Sequence, residues 1–166
     1  MKKTLLALAL IGASSTAMAD ALIYAGASVG QSDYNSSTGT AMGFHVGTGL
    51  LPIIGVEAGY WQLGDLDVNS GAADFSTWYA AVKPSIDLGP VHLYGRAGLH
   101  SYNVDYTKGY TGSTSGTSIM YGVGAEYFVF SMLSIGAGYQ NFADVKTRSG
   151  KHNVDSFTVN ATFHFL

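Results

Sequence analysis

From Phe157 to Phe165 every second residue is apolar (Phe157, Val159, Ala161, Phe163, Phe165), and the residues between them, with Ser156 before, are polar (Thr158, Asn160, Thr162, His164). Successive side chains of a strand point to opposite faces, so strict alternation predicts a strand between two unlike environments. Its length matches the ~9–11 residues of a transmembrane β-strand. Seven earlier segments alternate in the same way: 23–31, 41–50, 54–63, 75–86, 91–102, 116–127 and 133–140. Their connections alternate too. Segments 32–40, 64–74, 103–115 and 141–153 are long and polar, whereas 51–53, 87–90 and a turn near 130–132 are short. Short turns at one end and long loops at the other predict an all-β fold, an eight-stranded antiparallel up-and-down barrel with its long loops outside the cell.

Parity separates the two faces. One carries Val29, Phe44, Val46, Val56, Tyr60, Trp78, Val82, Leu93, Leu99, Ile119, Val123 and Ile135, and no charge. The other is mostly Gly, Ser and Thr, with four charged residues. A water-soluble barrel would clothe its outside in Lys and Glu; the glycine-rich face suits a packed lumen instead. The apolar face therefore meets lipid, and closure is obligatory because open edges are not tolerated in hydrocarbon. Composition agrees: charged residues make up 11% of the chain, against about 25% in a soluble domain. Tyr60, Trp78, Tyr121 and Tyr139 fall toward the loop end as an outer aromatic girdle, with Tyr127, Phe163 and Phe165 toward the turn end. Pro84 cannot donate to a ladder and is expected at a bulge or near the turn end.

The N-terminus names the route. Met1-Lys-Lys3 is basic, Leu5 to Gly12 is mostly apolar, and Ala17-Met-Ala19 is a small-x-small cleavage site. Residues 1–19 read as a secretory signal peptide and 20–166 as the barrel. Cysteine is absent, which excludes disulfide and thiol chemistry. Beyond the leader six bases face eleven acids, so a nucleic-acid groove is unsupported.

Glu57, Lys83, Arg96 and Glu126 lie one each on the third to sixth strands, all on the lumen face. Two acids and two bases sum to zero, and buried charges are costly unless paired. An eight-stranded interior is just filled by side chains, which favours a plug of salt bridges over a proton or ion path. The inward glycines leave room for water pockets beside it. Ile54-Gly-Val-Glu-Ala-Gly-Tyr-Trp-Gln-Leu-Gly64 resembles the third strand of the OmpA-like small outer-membrane barrels. Tyr24-Ala-Gly-Ala-Ser-Val-Gly30 resembles their first strand, and Tyr94-Gly-Arg-Ala-Gly98 and Val123-Gly-Ala-Glu-Tyr127 their fifth and sixth. The resemblance implies an interior charge network and residence in the cell outer membrane. It also implies outer-membrane lipid, lipopolysaccharide and the outer-membrane assembly machinery as partners. Ser28 stands where some members carry a basic residue, and Gly136 and Gly138 where others carry charges, so a smaller network is expected. The family's terminal residue is usually Phe; here Leu166 follows Phe165. No peptidoglycan-binding domain is expected beside the barrel.

Among the loops, 103–115 carries Tyr106 and Tyr110 amid small polar residues, a recognition-surface composition suited to a host or cell-surface ligand. The last loop is basic, with Lys146, Arg148, Lys151 and His152, and could meet lipopolysaccharide phosphates or pair with Asp65, Asp67 and Asp74 of the second. His45, His92, His100 and His164 sit on different strands, so neither a metal nor another cofactor is expected. His100-Ser101 differ in parity and point to opposite faces, against a nucleophile–base pair. The reading is a non-enzymatic barrel that supports the outer membrane or mediates surface attachment. The alternatives are a lipid A-modifying barrel enzyme and a small-solute channel.

Overall fold

In the computed structural model, residues 23–34, 37–68, 71–106, 112–147 and 150–165 are described. The leader expected over 1–19 and the terminal Leu166 lie outside them. Eight strands follow in order: β1 (Ile23–Tyr34), β2 (Ser37–Leu51), β3 (Ile54–Val68), β4 (Gly71–Leu88), β5 (Val91–Tyr106), β6 (Gly112–Phe130), β7 (Leu133–Thr147) and β8 (Gly150–Phe165). Each pairs antiparallel with its chain neighbours, and β1 pairs with β8 to close the barrel. Pro84 sits in β4 four residues before its turn-end terminus, opposite Ile54, and Ser85 takes up the next hydrogen bond, to the Ile53 carbonyl.

The strands are longer than the alternating segments suggested, up to 19 residues in β6. Much of what reads as long loop is strand: β5 runs on to Tyr106 and β6 starts at Gly112. Only ~9–11 residues are needed to cross a membrane, so the walls rise past the outer interface as paired hairpins.

Past that interface the wall inverts its polarity. Leu99 on β5 and Ile119 on β6 are outward and exposed. The next outward positions are Ser101, Asn103 and Asp105 on β5, and Thr117, Ser115 and Ser113 on β6. The inward positions change the other way, to a buried cluster that includes Trp61, Leu63, Phe75, Tyr102, Phe142 and Val154. Within lipid the barrel is apolar outside and polar inside; above lipid it is built like a soluble barrel.

Several inward glycines are covered by rings. Gly47, Gly59, Gly116 and Gly124 are the cross-strand partners of Tyr24, Tyr79, Tyr102 and Tyr94. A Cβ on any of the four would collide with its tyrosine. Gly43 is likewise covered by the Trp61 ring. Each ring lies over the glycine opposite, an arrangement that pins register as aromatic cover of glycine does in sheets generally. The space expected for water beside the charges is largely occupied by these tyrosines.

Candidate functional site

The alternation of β3, β4, β5 and β6 turns Glu57, Lys83, Arg96 and Glu126 inward, and all four are buried. Direct contacts join three of them, and Glu126 is held by other partners. Glu57 is the hub of the first cluster. Arg96 Nη2 donates to its Oε2 at 3.2 Å, and Arg96 Nε lies 2.7 Å from its Oε1. The Tyr79 and Tyr24 hydroxyls donate to the same carboxylate. Lys83 Nζ is more distant, 4.0 Å from Glu57 Oε2, and rests over the rings of Tyr24 and Tyr94 at 4.2 and 4.7 Å. Arg96 also stacks on Tyr94, 4.6 Å from its centroid. The two bases share one carboxylate and are spread apart by aromatic faces, which attract cations where water is excluded.

Glu126 stands apart. Asn160 Nδ2 donates to its Oε1 at 2.8 Å, the Thr162 hydroxyl at 3.3 Å, and the Ser134 hydroxyl to its Oε2 at 3.1 Å. His164 Nε2 lies 4.0 Å from its Oε2. Three of the four charges expected in the lumen network meet directly, and Glu126 takes its hydrogen bonds from neutral side chains. β8 supplies a row of neutral donors, and hydrogen bonds to a carboxylate can replace a base as its compensation. Parity could not reveal this, because register decides which strands face one another.

Ser134, His164 and Glu126 form a Ser/His/Glu group that sequence reading did not find. Ser134 Oγ is 2.9 Å from His164 Nε2, but Glu126 approaches that same nitrogen. A catalytic relay needs the carboxylate on the other ring nitrogen. His100 is buried, bonded to the Thr77 hydroxyl and the Ala143 carbonyl, while Ser101 is exposed on the outer face. Asp155 and Ser156 are likewise split between outside and lumen. Among the described residues no three or more His, Cys, Asp or Glu side chains converge as a metal site.

At the rim, Tyr106 is the last residue of β5, opposite Gly112, and so lies in a strand and not in a loop. Lys146 and Lys151 also belong to strands, directly opposite one another on β7 and β8 and both exposed. Lys151 lies 3.7 Å from Asp144, whose φ of 53° marks the irregularity in β7. Tyr110 and Arg148 fall outside the described residues.

The profile of the family described as the outer membrane protein beta-barrel domain matches residues 4–165. The chain belongs to this outer-membrane β-barrel family. Neisserial surface protein A superposes with a TM-score of 0.67 at 16% identity, over 86% of this chain and 96% of that one. Ail of Yersinia pestis, bound to the heparin analogue sucrose octasulfate, superposes at 0.59 with 19% identity, over 86% and 96%. The outer membrane enzyme PagL does so at 0.52 with 12% identity, over 86% and 99%. These likenesses concern the fold. Among curated proteins no sequence match is found. Family membership places this barrel in the cell outer membrane, with Val29, Phe44, Val123 and Phe157 of its outer wall against lipid.

Proposed function

We propose that this is a non-enzymatic outer-membrane barrel, closed to solutes, that supports the membrane and presents its extracellular hairpins for attachment. The observation that carries the reading is that side chains fill the lumen at two levels, Glu57–Arg96 with its tyrosines and the Trp61 cluster beyond it. The misplaced carboxylate at His164 and the opposed faces of His100 and Ser101 support the absence of hydrolytic chemistry. Planar-bilayer recordings of the pure protein should show no steady nanosiemens-scale conductance; reproducible openings of that size would favour a channel.

For attachment, partners must meet the rim, because the lumen is closed. The tyrosines among small polar residues in 103–115 are a composition that gives contact area at low entropic cost. The opposed Lys146 and Lys151 present positive charge outward at a site suited to an anionic glycan or a lipopolysaccharide phosphate. Sucrose octasulfate bound to Ail is an anionic saccharide of that kind on a barrel of like fold. Cells displaying Tyr106→Ser/Tyr110→Ser should attach less to host surfaces, while the purified variant keeps its heat-dependent gel mobility. Unchanged attachment to every surface tried, with the variant confirmed on the cells, would leave membrane support as the function.

A further inference from the structure

All three short turns carry exposed apolar side chains. Leu51 and Ile53 flank Pro52 between β2 and β3, Leu88 precedes Gly89-Pro90 between β4 and β5, and Phe130 and Met132 flank Ser131 between β6 and β7. Ile53 is 61% exposed and Phe130 68%. Turns that stand in water are ordinarily built from Gly, Asn, Asp and Ser. The opposite rim is polar and charged, with Asp33, Asp105, Asp144, Lys146 and Lys151 exposed. Across the three turns and the two residues on either side of each, the acids and bases are Asp87 and His92, hydrogen-bonded to one another at 2.6 Å.

The backbone of these turns is suited to lipid on independent grounds. In hydrocarbon every N–H and C=O must find its partner within the protein. Pro52 and Pro90 have no N–H to satisfy. The carbonyl that ends each turn is taken up by the strand that follows. Ser85 N–H donates to the Ile53 carbonyl at 3.0 Å, Phe128 N–H to that of Pro90 at 2.9 Å, and His164 N–H to that of Met132 at 2.9 Å.

Height agrees. Leu88 lies ten residues along β4 from the outer-girdle Trp78, and Phe130 lies nine along β6 from Tyr121. At ~3.3 Å per residue and a tilt of ~40° these runs descend about 23–25 Å, the whole height of a barrel's apolar band. The turn tips therefore continue the lipid-facing wall without a polar step.

We propose that the three turns are a phospholipid-binding surface: they end among the glycerol and upper acyl groups of the inner leaflet and hold the barrel at a fixed depth. The partner of this end of the barrel is lipid, not a periplasmic protein.

The test uses the whole mature barrel in phosphatidylcholine vesicles. The chain has no cysteine, so Ile53→Cys and Met132→Cys each place a nitroxide spin label at one turn. Val159→Cys on the outer wall and Lys151→Cys at the rim serve as references. At both turns oxygen should relax the label more than a water-soluble nickel chelate does, as at position 159, and the order should reverse at position 151. The turn spectra should stay sharp as the protein-to-lipid ratio rises. Phe130→Asp should lower the thermal midpoint in vesicles by a few degrees, because a charge at that level meets lipid. Ser113→Asp, at the exposed rim, should leave the midpoint unchanged. Both variants should keep heat-dependent gel mobility. Nickel accessibility at the turns equal to that at position 151 would place them in water and overturn the proposal. Line broadening that grows with protein density would mean that a second copy covers the turns, and would overturn it equally. So would a midpoint as indifferent to Phe130→Asp as to Ser113→Asp.

Discussion

Glu57→Ala should destabilise the barrel by about 3–5 kcal/mol, the usual result of removing one partner from a buried charge pair. Arg96 would keep its charge with no carboxylate within reach, and the Tyr24 and Tyr79 hydroxyls would lose their shared acceptor. Geometry ranks the couplings. Arg96 meets Glu57 through two nitrogens, whereas Lys83 sits 4.0 Å away and is held largely by the faces of Tyr24 and Tyr94. In double-mutant cycles the Glu57–Arg96 coupling should therefore exceed that of Glu57–Lys83. Glu126→Gln combined with Arg96→Met should be near additive, since neutral donors hold Glu126. Urea titration in detergent, followed by gel mobility, measures all three. Equal coupling of Arg96 to both acids would restore a single four-charge network.

Phe157 to Phe165 could be read as a lipid-facing strand because alternation is a one-dimensional signal. The inward turn of Glu57, Lys83, Arg96 and Glu126 follows from the same parity. Which of them touch does not, because contact depends on the stagger between strands. Asn160 and Thr162 look like ordinary lumen filler in sequence, yet they replace a base at Glu126. The segment 112–115 (Gly-Ser-Thr-Ser) looks like loop by composition. It folds as strand because β5 opposite it continues as Tyr102 and Val104, whose side chains pack in the apolar plug. A signal was available: in 91–106 the apolar residues change parity, from Leu93, Ala97 and Leu99 to Tyr102 and Val104. Such a phase change marks the height at which lipid gives way to water.

That change of phase makes a prediction about two tryptophans. Trp61 and Trp78 lie on adjacent strands, but Trp61 faces inward and is buried, while Trp78 faces outward and is 65% exposed. Trp61 spans the plug toward Phe142, with centroids 6.5 Å apart, and its ring covers Gly43, so no neighbour is placed to fill its volume. Trp61→Ala should cost about 3–5 kcal/mol, the combined loss of burial and creation of a cavity. Trp78→Ala should cost less, because lipid or headgroups refill the space it leaves against Tyr60. Urea unfolding in vesicles, read by gel mobility so that neither reporter is lost, separates the two. Trp61→Ala should also remain closed to ions in planar bilayers, since the Glu57–Arg96–Tyr79 layer lies two inward positions below it on β3. A loss no larger than that of Trp78→Ala would mean that the extracellular plug is not packed as a core, and the inverted wall above the membrane would then have no apolar interior to stabilise it.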